Sequence, residues 1–216
     1  MFDRTDFYES AAHFHARSIP GPATAQVWVN HFPGPAVVLG STQRAPSIID
    51  ADECTRRGID IVRRRSGGGA VLLVPSEVTW FDVIIPTGAP GWAQDVHEPM
   101  VWLGERFAAA CRAAGVTQTL TVNANSMVRT EWSALICFDG IGPGEVLLED
   151  RKLLGISQRR TREALRLQCC WYHEVDSGEL VGLFPALTDV DSTLLSPIAT
   201  LPARLSADIL QHFCSF

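Results

Sequence analysis

From Ile59 to Pro86 the chain alternates strand-like runs with tight junctions: IDIVRRR, the glycine stretch SGGGA, VLLVP, and after PSE the alternating run VTWFDVII. Strands grouped this closely, with few helical stretches among them, predict an α+β fold. Its sheet should be mixed, largely antiparallel and flanked by helices, rather than doubly wound and parallel. The grouping continues on both sides. QVWVN (Gln26 to Asn30) and AVVLG (Ala36 to Gly40) flank the Pro/Gly turn HFPGP. Leu135 to Phe138, Glu145 to Leu148, Lys152 to Arg160 and Leu165 to Val175 read as strands joined at GIGPG and EDRK.

Four stretches read as helices. Asp6 to Ala16 spaces Phe7, Ala11 and Phe14 on one face, and Asp50 to Arg57 is short and stops at Gly58. Asp95 to Ala114 carries Met100, Leu103, Phe107, Cys111 and Ala114 on one face, between an Asp95 cap and the Gly115 stop. The last lies near Pro202 to Phe213. No repeat, low-complexity tract or linker interrupts the chain, so residues 1–216 are expected to form one domain with no accessory domain after it.

Composition narrows the class. A 46% hydrophobic content with 19% charged residues is that of a folded globular protein. Asp3, Asp6 and Glu9 stand where a secretory leader carries positive charge, and no run of about 18 apolar residues follows. A cytoplasmic location away from membranes is the expectation. The six cysteines form neither a CxxC pair nor a metal-spaced array with histidine, so reduced thiols and no metal site are expected. A net charge of −6 argues against nucleic-acid binding by phosphate neutralisation.

The basic residues number 18, of which 17 are Arg and one is Lys, Lys152. A chain that uses Arg at almost every positive position marks the exception as a place where a compact ammonium on a flexible stem is needed, or else as a chance leftover on a turn. RRRSGGGAV (Arg63 to Val71) sets three positive charges beside three glycines whose backbone N–H groups can approach an anion closely. No long helix follows it, so it is neither a P-loop nor a dinucleotide loop. DRKLLGISQRRTR (Asp150 to Arg162) places Gly155 inside a strand, a mark of close approach by a ligand or another backbone. Alternation puts Arg160 and Arg162 on the face opposite Arg159.

Together these segments carry a resemblance. RRRSGGGAV resembles the RRxSGGGAV signature of lipoate-protein ligases, Lys152 with GISQRRT is similar to that family's later lysine motif, and GSTQ (Gly40 to Gln43) resembles its upstream G-x-x-Q turn. The resemblance runs from about Val27 to Val175. It implies the catalytic fold shared by biotin and lipoate ligases, in which the glycine loop and its arginine bind the acyl group and the adenylate. Carried over by position, Arg64, Ser66, Gly67, Gly68, Gly69, Ala70, Val71 and Leu72 would line that pocket. Lys152 would be the essential lysine, offsetting charge that grows as the acyl carbon is attacked.

The sequence departs from the ligase pattern in three ways. Leu73 and Val74 stand where ligases carry a His and an Asp, and CFDGI (Cys137 to Ile141) replaces the SGRND segment. The chain is also expected to carry no accessory domain, which makes a separate accessory protein an expected partner. A class of octanoyltransferases in the same superfamily looks similar at CFD, where the cysteine carries the acyl group. Cys137 is then a nucleophile or, in the apolar run LICF, a buried small residue. The other octanoyltransferase class is disfavoured, because its downstream cysteine position is Ala186.

Three readings follow. The first is a lipoate-protein ligase that uses ATP and Mg²⁺ to activate lipoic or octanoic acid as the acyl-adenylate, for attack by a lysine of a lipoyl domain. The second takes octanoyl-acyl carrier protein as donor, needs no cofactor, and uses Cys137 as relay. The third is a non-catalytic module that binds an acyl group or a lipoyl domain. Acceptors implied by the resemblance are the lipoyl domains of 2-oxoacid dehydrogenase complexes or the glycine cleavage H protein. Biotin is disfavoured, because the motif is SGGGAV rather than the GRGR type.

Overall fold

The fold was obtained as a computed structural model that describes residues 1–19, 21 and 24–215. In chain order the elements are β1 (Asp3–Phe7), α1 (Ala11–Ala16), β2 (Gln26–Asn30), β3 (Ala36–Leu39), α2 (Ala45–Ile48), α3 (Ala51–Arg56), β4 (Asp60–Arg63), β5 (Val71–Leu73) and β6 (Val78–Pro86). Next come α4 (Glu98–Ala113), β7 (Leu120–Val122), β8 (Val146–Leu148), β9 (Arg151–Arg160), β10 (Ala164–Tyr172), α5 (Ser177–Val181) and α6 (Ser206–Ser215). A seven-stranded sheet has the order β1-β2-β6-β10-β9-β8-β7, and a three-stranded sheet the order β4-β3-β5. Among the paired strands described, β1 with β2 and β3 with β4 run parallel and the others antiparallel. The α+β class with a mixed, largely antiparallel sheet is what the grouping of strands predicts.

The layers follow from which residues need covering. β6 and β10 are buried almost end to end, because both faces of the large sheet are covered. On one face Phe81, Val83, Leu167 and Trp171 pack against Leu103 and Phe107 of α4 and Ile209 and Phe213 of α6. On the other, Trp80, Ile84, Cys170 and Tyr172 meet Val38, Val71 and Leu73 of the small sheet and Phe14 of α1. The outer face of the small sheet, through Val37, Leu39 and Leu72, packs on Cys54, Leu183 and Phe184. No helix among the described residues is long and apolar enough to cross a membrane.

Several local readings differ from the observed structure. Asp6 and Phe7 belong to β1, where parallel pairing with β2 outweighs helical spacing, and the helix starts only after Ser10, whose side chain accepts from His13 N. β7 was not signalled by the sequence, and β10 ends at Tyr172 rather than Val175. Asp95 does cap α4, accepting from His97 N at 2.7 Å and Glu98 N at 3.0 Å, but the helix itself begins at Glu98. Leu135 to Phe138 forms no strand. Its ties to the glycine loop are a single bridge between Ala70 and Ile136, and it turns as a 3-10 helix over Cys137–Asp139.

Candidate active site

Where the two sheets part at one edge, three segments distant in sequence meet. Ser66 ends the glycine loop's entry with its carbonyl accepting from Ser41 N at 2.9 Å, and Gly68 sits at φ +96°, a conformation that favours glycine. A Cβ on Gly40 would lie 1.9 Å from the Gly68 carbonyl oxygen, and one on Gly69 2.6 Å from Cys137 N. The loop is therefore glycine because backbone lies against backbone on two sides. Gln43 locks the arrangement. Its Oε1 accepts from Gly40 N at 2.9 Å, and its Nε2 donates to the carbonyls of Ala134 and Leu135 at 2.9 and 3.0 Å. Ala70 N donates to Leu135 O at 2.7 Å, and Cys137 N to Ala70 O at 2.9 Å.

The residues expected at the pocket divide. Gly67, Gly68 and Gly69 line an open cleft of about 270 Å³ together with Cys137, Glu145, Lys152, Ile156 and Ser157. That is close to the lower end of the range for small-ligand pockets, roughly 300–1,000 Å³. The amides of these glycines donate to no protein acceptor among the described residues. Arg64 does not line the cleft. Its guanidinium is 2% exposed and braces the loop from below, donating to the carbonyls of Val38, Gly67 and Gly69 at 3.1, 2.7 and 2.8 Å. Ser66 turns inward to Gln168 Oε1 at 2.7 Å and Ser157 Oγ at 2.9 Å. Ala70, Val71 and Leu72 are core residues, and Leu73 fills the space between the sheets.

Lys152 is 3% exposed, and its ammonium is directed into the protein. Nζ donates to the carbonyls of Cys137 at 2.8 Å and Gly140 at 2.9 Å, pairs with Glu145 Oε2 at 2.6 Å, and lies 4.9 Å from the centre of the Phe138 ring. Burial works to lower its pKa, but the Glu145 charge and the Cys137 sulfur outweigh burial and hold it above the ordinary lysine value. The ammonium therefore stays charged, with the Glu145 carboxylate as its counter-charge. Glu145, which the sequence marks only as the start of a strand, spends both oxygens inside: Oε1 accepts from Ile156 N at 3.0 Å, and Oε2 from Gly142 N at 2.6 Å as well as from Lys152. Its one signal in the sequence is an acid placed directly after GIGPG and ahead of the lone lysine. Asp139 accepts from Ser196 N at 2.7 Å and from Thr130 Oγ1, anchoring the far end of the turn. Among the described residues that line the cleft Glu145 is the one carboxylate, and it is paired with Lys152.

Of the six cysteines, Cys137 alone lines the cleft beside Lys152. Burial pushes the Cys111 thiol up to about 12 and raises those of Cys169 and Cys170 further, so these are core residues. The Cys137 sulfur lies 3.7 Å from where a Gly68 Cβ would stand. Beneath it a slot of about 10 Å³, space for one water, is lined by Val71, Trp80, Gly155, Ile156 and Cys170. The second arginine cluster splits as alternation requires. Arg160 donates to the carbonyls of Ala93, Gln94 and Asp95 at 2.8, 3.2 and 2.6 Å, whereas Arg159 stands on the opposite face, beside Arg166.

Residues 9–200 match the lipoyl protein ligase A/B catalytic domain. An octanoyltransferase LipM from an Exiguobacterium species is 31% identical over 193 residues, covering 88% of this chain and 67% of that protein. One from Staphylococcus aureus is 26% identical over 149 residues, covering 68% of this chain and 53% of that one. The chain thus spans between about half and two thirds of the length of these relatives. Among solved structures, a bi-partite lipoate protein ligase from Thermoplasma acidophilum, studied with its E2 lipoyl domain, aligns with a TM-score of 0.71 at 16% identity, covering 99% of this chain and 82% of that one. A lipoate-protein ligase A bound with ATP aligns with a TM-score of 0.68 at 14% identity, over 99% of this chain and 83% of that one. At these identities the structural likeness concerns the fold.

Proposed function

This chain belongs to the lipoyl protein ligase A/B catalytic-domain family, and from that premise we propose that it transfers an octanoyl group from an acyl carrier protein thioester to a lysine of a lipoyl domain, through Cys137. The observation that carries the reading is the Cys137 thiol in one cleft with the buried Lys152 ammonium and the unpaired amides of Gly67 to Gly69. The curated relatives, named as octanoyltransferases, support the choice of donor. The T. acidophilum ligase with its E2 lipoyl domain supports the choice of acceptor.

In this reading the Cys137 sulfur attacks the thioester carbonyl, a new S–C bond forms as the carrier's S–C bond breaks, and the carrier sulfur leaves, taking up the proton that Cys137 gave up. Negative charge growing on the carbonyl oxygen is met by the glycine amides and by the field of Lys152. The acceptor lysine then attacks the octanoyl-Cys137 thioester, an amide forms, and Cys137 departs with the proton the amine gives up. Lys152 acts through charge and by holding the 137–140 turn, since all three of its N–H donors are in use.

Intact mass spectrometry of a lipoyl domain separates the donors. Modification is expected with octanoyl-carrier protein and without ATP. Cys137→Ser should abolish it, and omitting the acceptor should leave one octanoyl group on Cys137. Modification that needs ATP, Mg²⁺ and a free acid, releases pyrophosphate and survives Cys137→Ser would replace this route by the adenylate one. Tight acyl binding with no transfer from either donor would leave only a binding module.

A further inference from the structure

Several inward-turned arginines hold protein acceptors, although Arg64 Nε, like Arg159 Nη1, is buried without one. Arg166 pairs with Asp82, Arg64 caps three carbonyls, and Arg160 caps three more. Arg159 is different. Its Nη1 is buried without an acceptor, and the side chain has no hydrogen bond or ion pair among the described residues. No carboxylate balances it. Instead the charges of Arg65 and Arg166 bear on it and, after burial, are what press its pKa downward. Arg65 itself is exposed on the loop and has no carboxylate partner among the described residues. In a chain of net charge −6, two arginines close enough for one charge to bear on the other, with no acid paired to either among the described residues, suit an anion brought from outside.

Their place in the fold says which end of the substrate that anion belongs to. In the β9–β10 register Arg159 stands opposite Arg166, Ser157 opposite Gln168 and Gly155 opposite Cys170, so the three β9 residues share the face turned toward the small sheet. Gly155 adjoins Cys137 in the slot beneath the cleft. At about 3.4 Å per residue, Arg159 lies roughly 7 Å beyond Ser157 and roughly 14 Å beyond Gly155. Ser66, the residue after Arg65, bonds Ser157 at 2.9 Å and so brings Arg65 to the same end.

We propose that Arg159 and Arg65 form an anion subsite for the phosphate group of the acyl donor, two residues along β9 from the Ser157 that lines the cleft with Cys137. The phosphate belongs either to the pantetheine arm of a carrier or to a nucleotide. The inference deepens the transferase reading and rests on it for the identity of the donor.

Calorimetric titrations of the full chain carrying Cys137→Ser, with 4′-phosphopantetheine, pantetheine, AMP and inorganic phosphate, test it without any turnover. Phosphopantetheine is expected to bind at least about tenfold more tightly than pantetheine, with the advantage erased by adding Arg159→Gln or Arg65→Gln and partly kept by Arg159→Lys. AMP bound with the same dependence on both arginines, and phosphopantetheine no better than pantetheine, would keep the subsite and assign it to a nucleotide. Phosphorylated and unphosphorylated probes binding alike, or glutamine variants binding like the parent, would overturn the proposal. Arg65→Gln changes only an exposed loop side chain and keeps the test valid if Arg159→Gln fails to fold. Failure of the wild type to transfer octanoyl would strike the transferase reading and leave the binding result intact.

Discussion

Lys152 and Glu145 form a buried pair in which neither member has another counter-charge. Removing one partner of such a pair leaves an uncompensated charge and costs about 3–5 kcal/mol, whereas replacing both with apolar groups costs much less. Glu145→Gln and Lys152→Met are each expected to lose stability on that scale by denaturant unfolding and to lose nearly all transfer activity. The double variant should recover much of the stability and none of the activity; additive stability losses would refute the coupling. At this scale the sequence singled out Lys152, as the only lysine, and Cys137, by its CFD segment. Glu145 was illegible, because an acid at a strand start becomes a charge partner only when a register shift between Val146 and Leu147 sets it against the next strand. Arg64 was expected to line the pocket, and its observed place as a brace depends on three carbonyls that converge only once the loop has folded.

The glycine loop, the Gly40–Gln43 turn and the Cys137–Asp139 turn act as one unit, because each lies in backbone contact with the next. Gly40→Ala would drive a methyl group into the Gly68 carbonyl, and overpacking of this kind costs about 1–3 kcal/mol. The expected result is a lower Tm together with a fall in transfer activity beyond what the loss of folded protein explains, since the loop must move off Cys137. Unchanged activity would mean the loop position is unimportant. β6 and α4 were legible because their patterns are long and their burial one-sided or complete. Leu135 to Phe138 was not. An apolar run of four residues has no period of its own, and here the Lys152 ammonium draws the Cys137 and Gly140 carbonyls into a turn.

Across the whole molecule, α1 closes over the space between the sheets and buries His15 beside Gln168, Arg166 and Arg64. Burial, then the charges of the two arginines, holds the His15 pKa well below its ordinary 6.5, and burial lowers that of His173. Between those lowered values and about 6.5 the unfolded chain binds more protons than the folded one, so stability is expected to fall as pH drops through about 6.5. Calorimetry from about pH 7.5 to about pH 5.5 should show a declining Tm, with a shallower slope in His15→Gln; equal slopes would refute this. The comparison isolates the histidine from Asp82 and Glu77, whose raised values act in the opposite sense. By itself the sequence determined the strand-rich α+β class, the glycine junction and the one lysine, because local conformational preference and rare residue usage are written in order along the chain. Only the tertiary structure decided that Lys152 is neutralised by Glu145, that Arg64 and Ser66 face inward, and that Arg159 Nη1 is buried without a partner. These depend on how the strands are ordered and registered across the two sheets, and no local stretch encodes that.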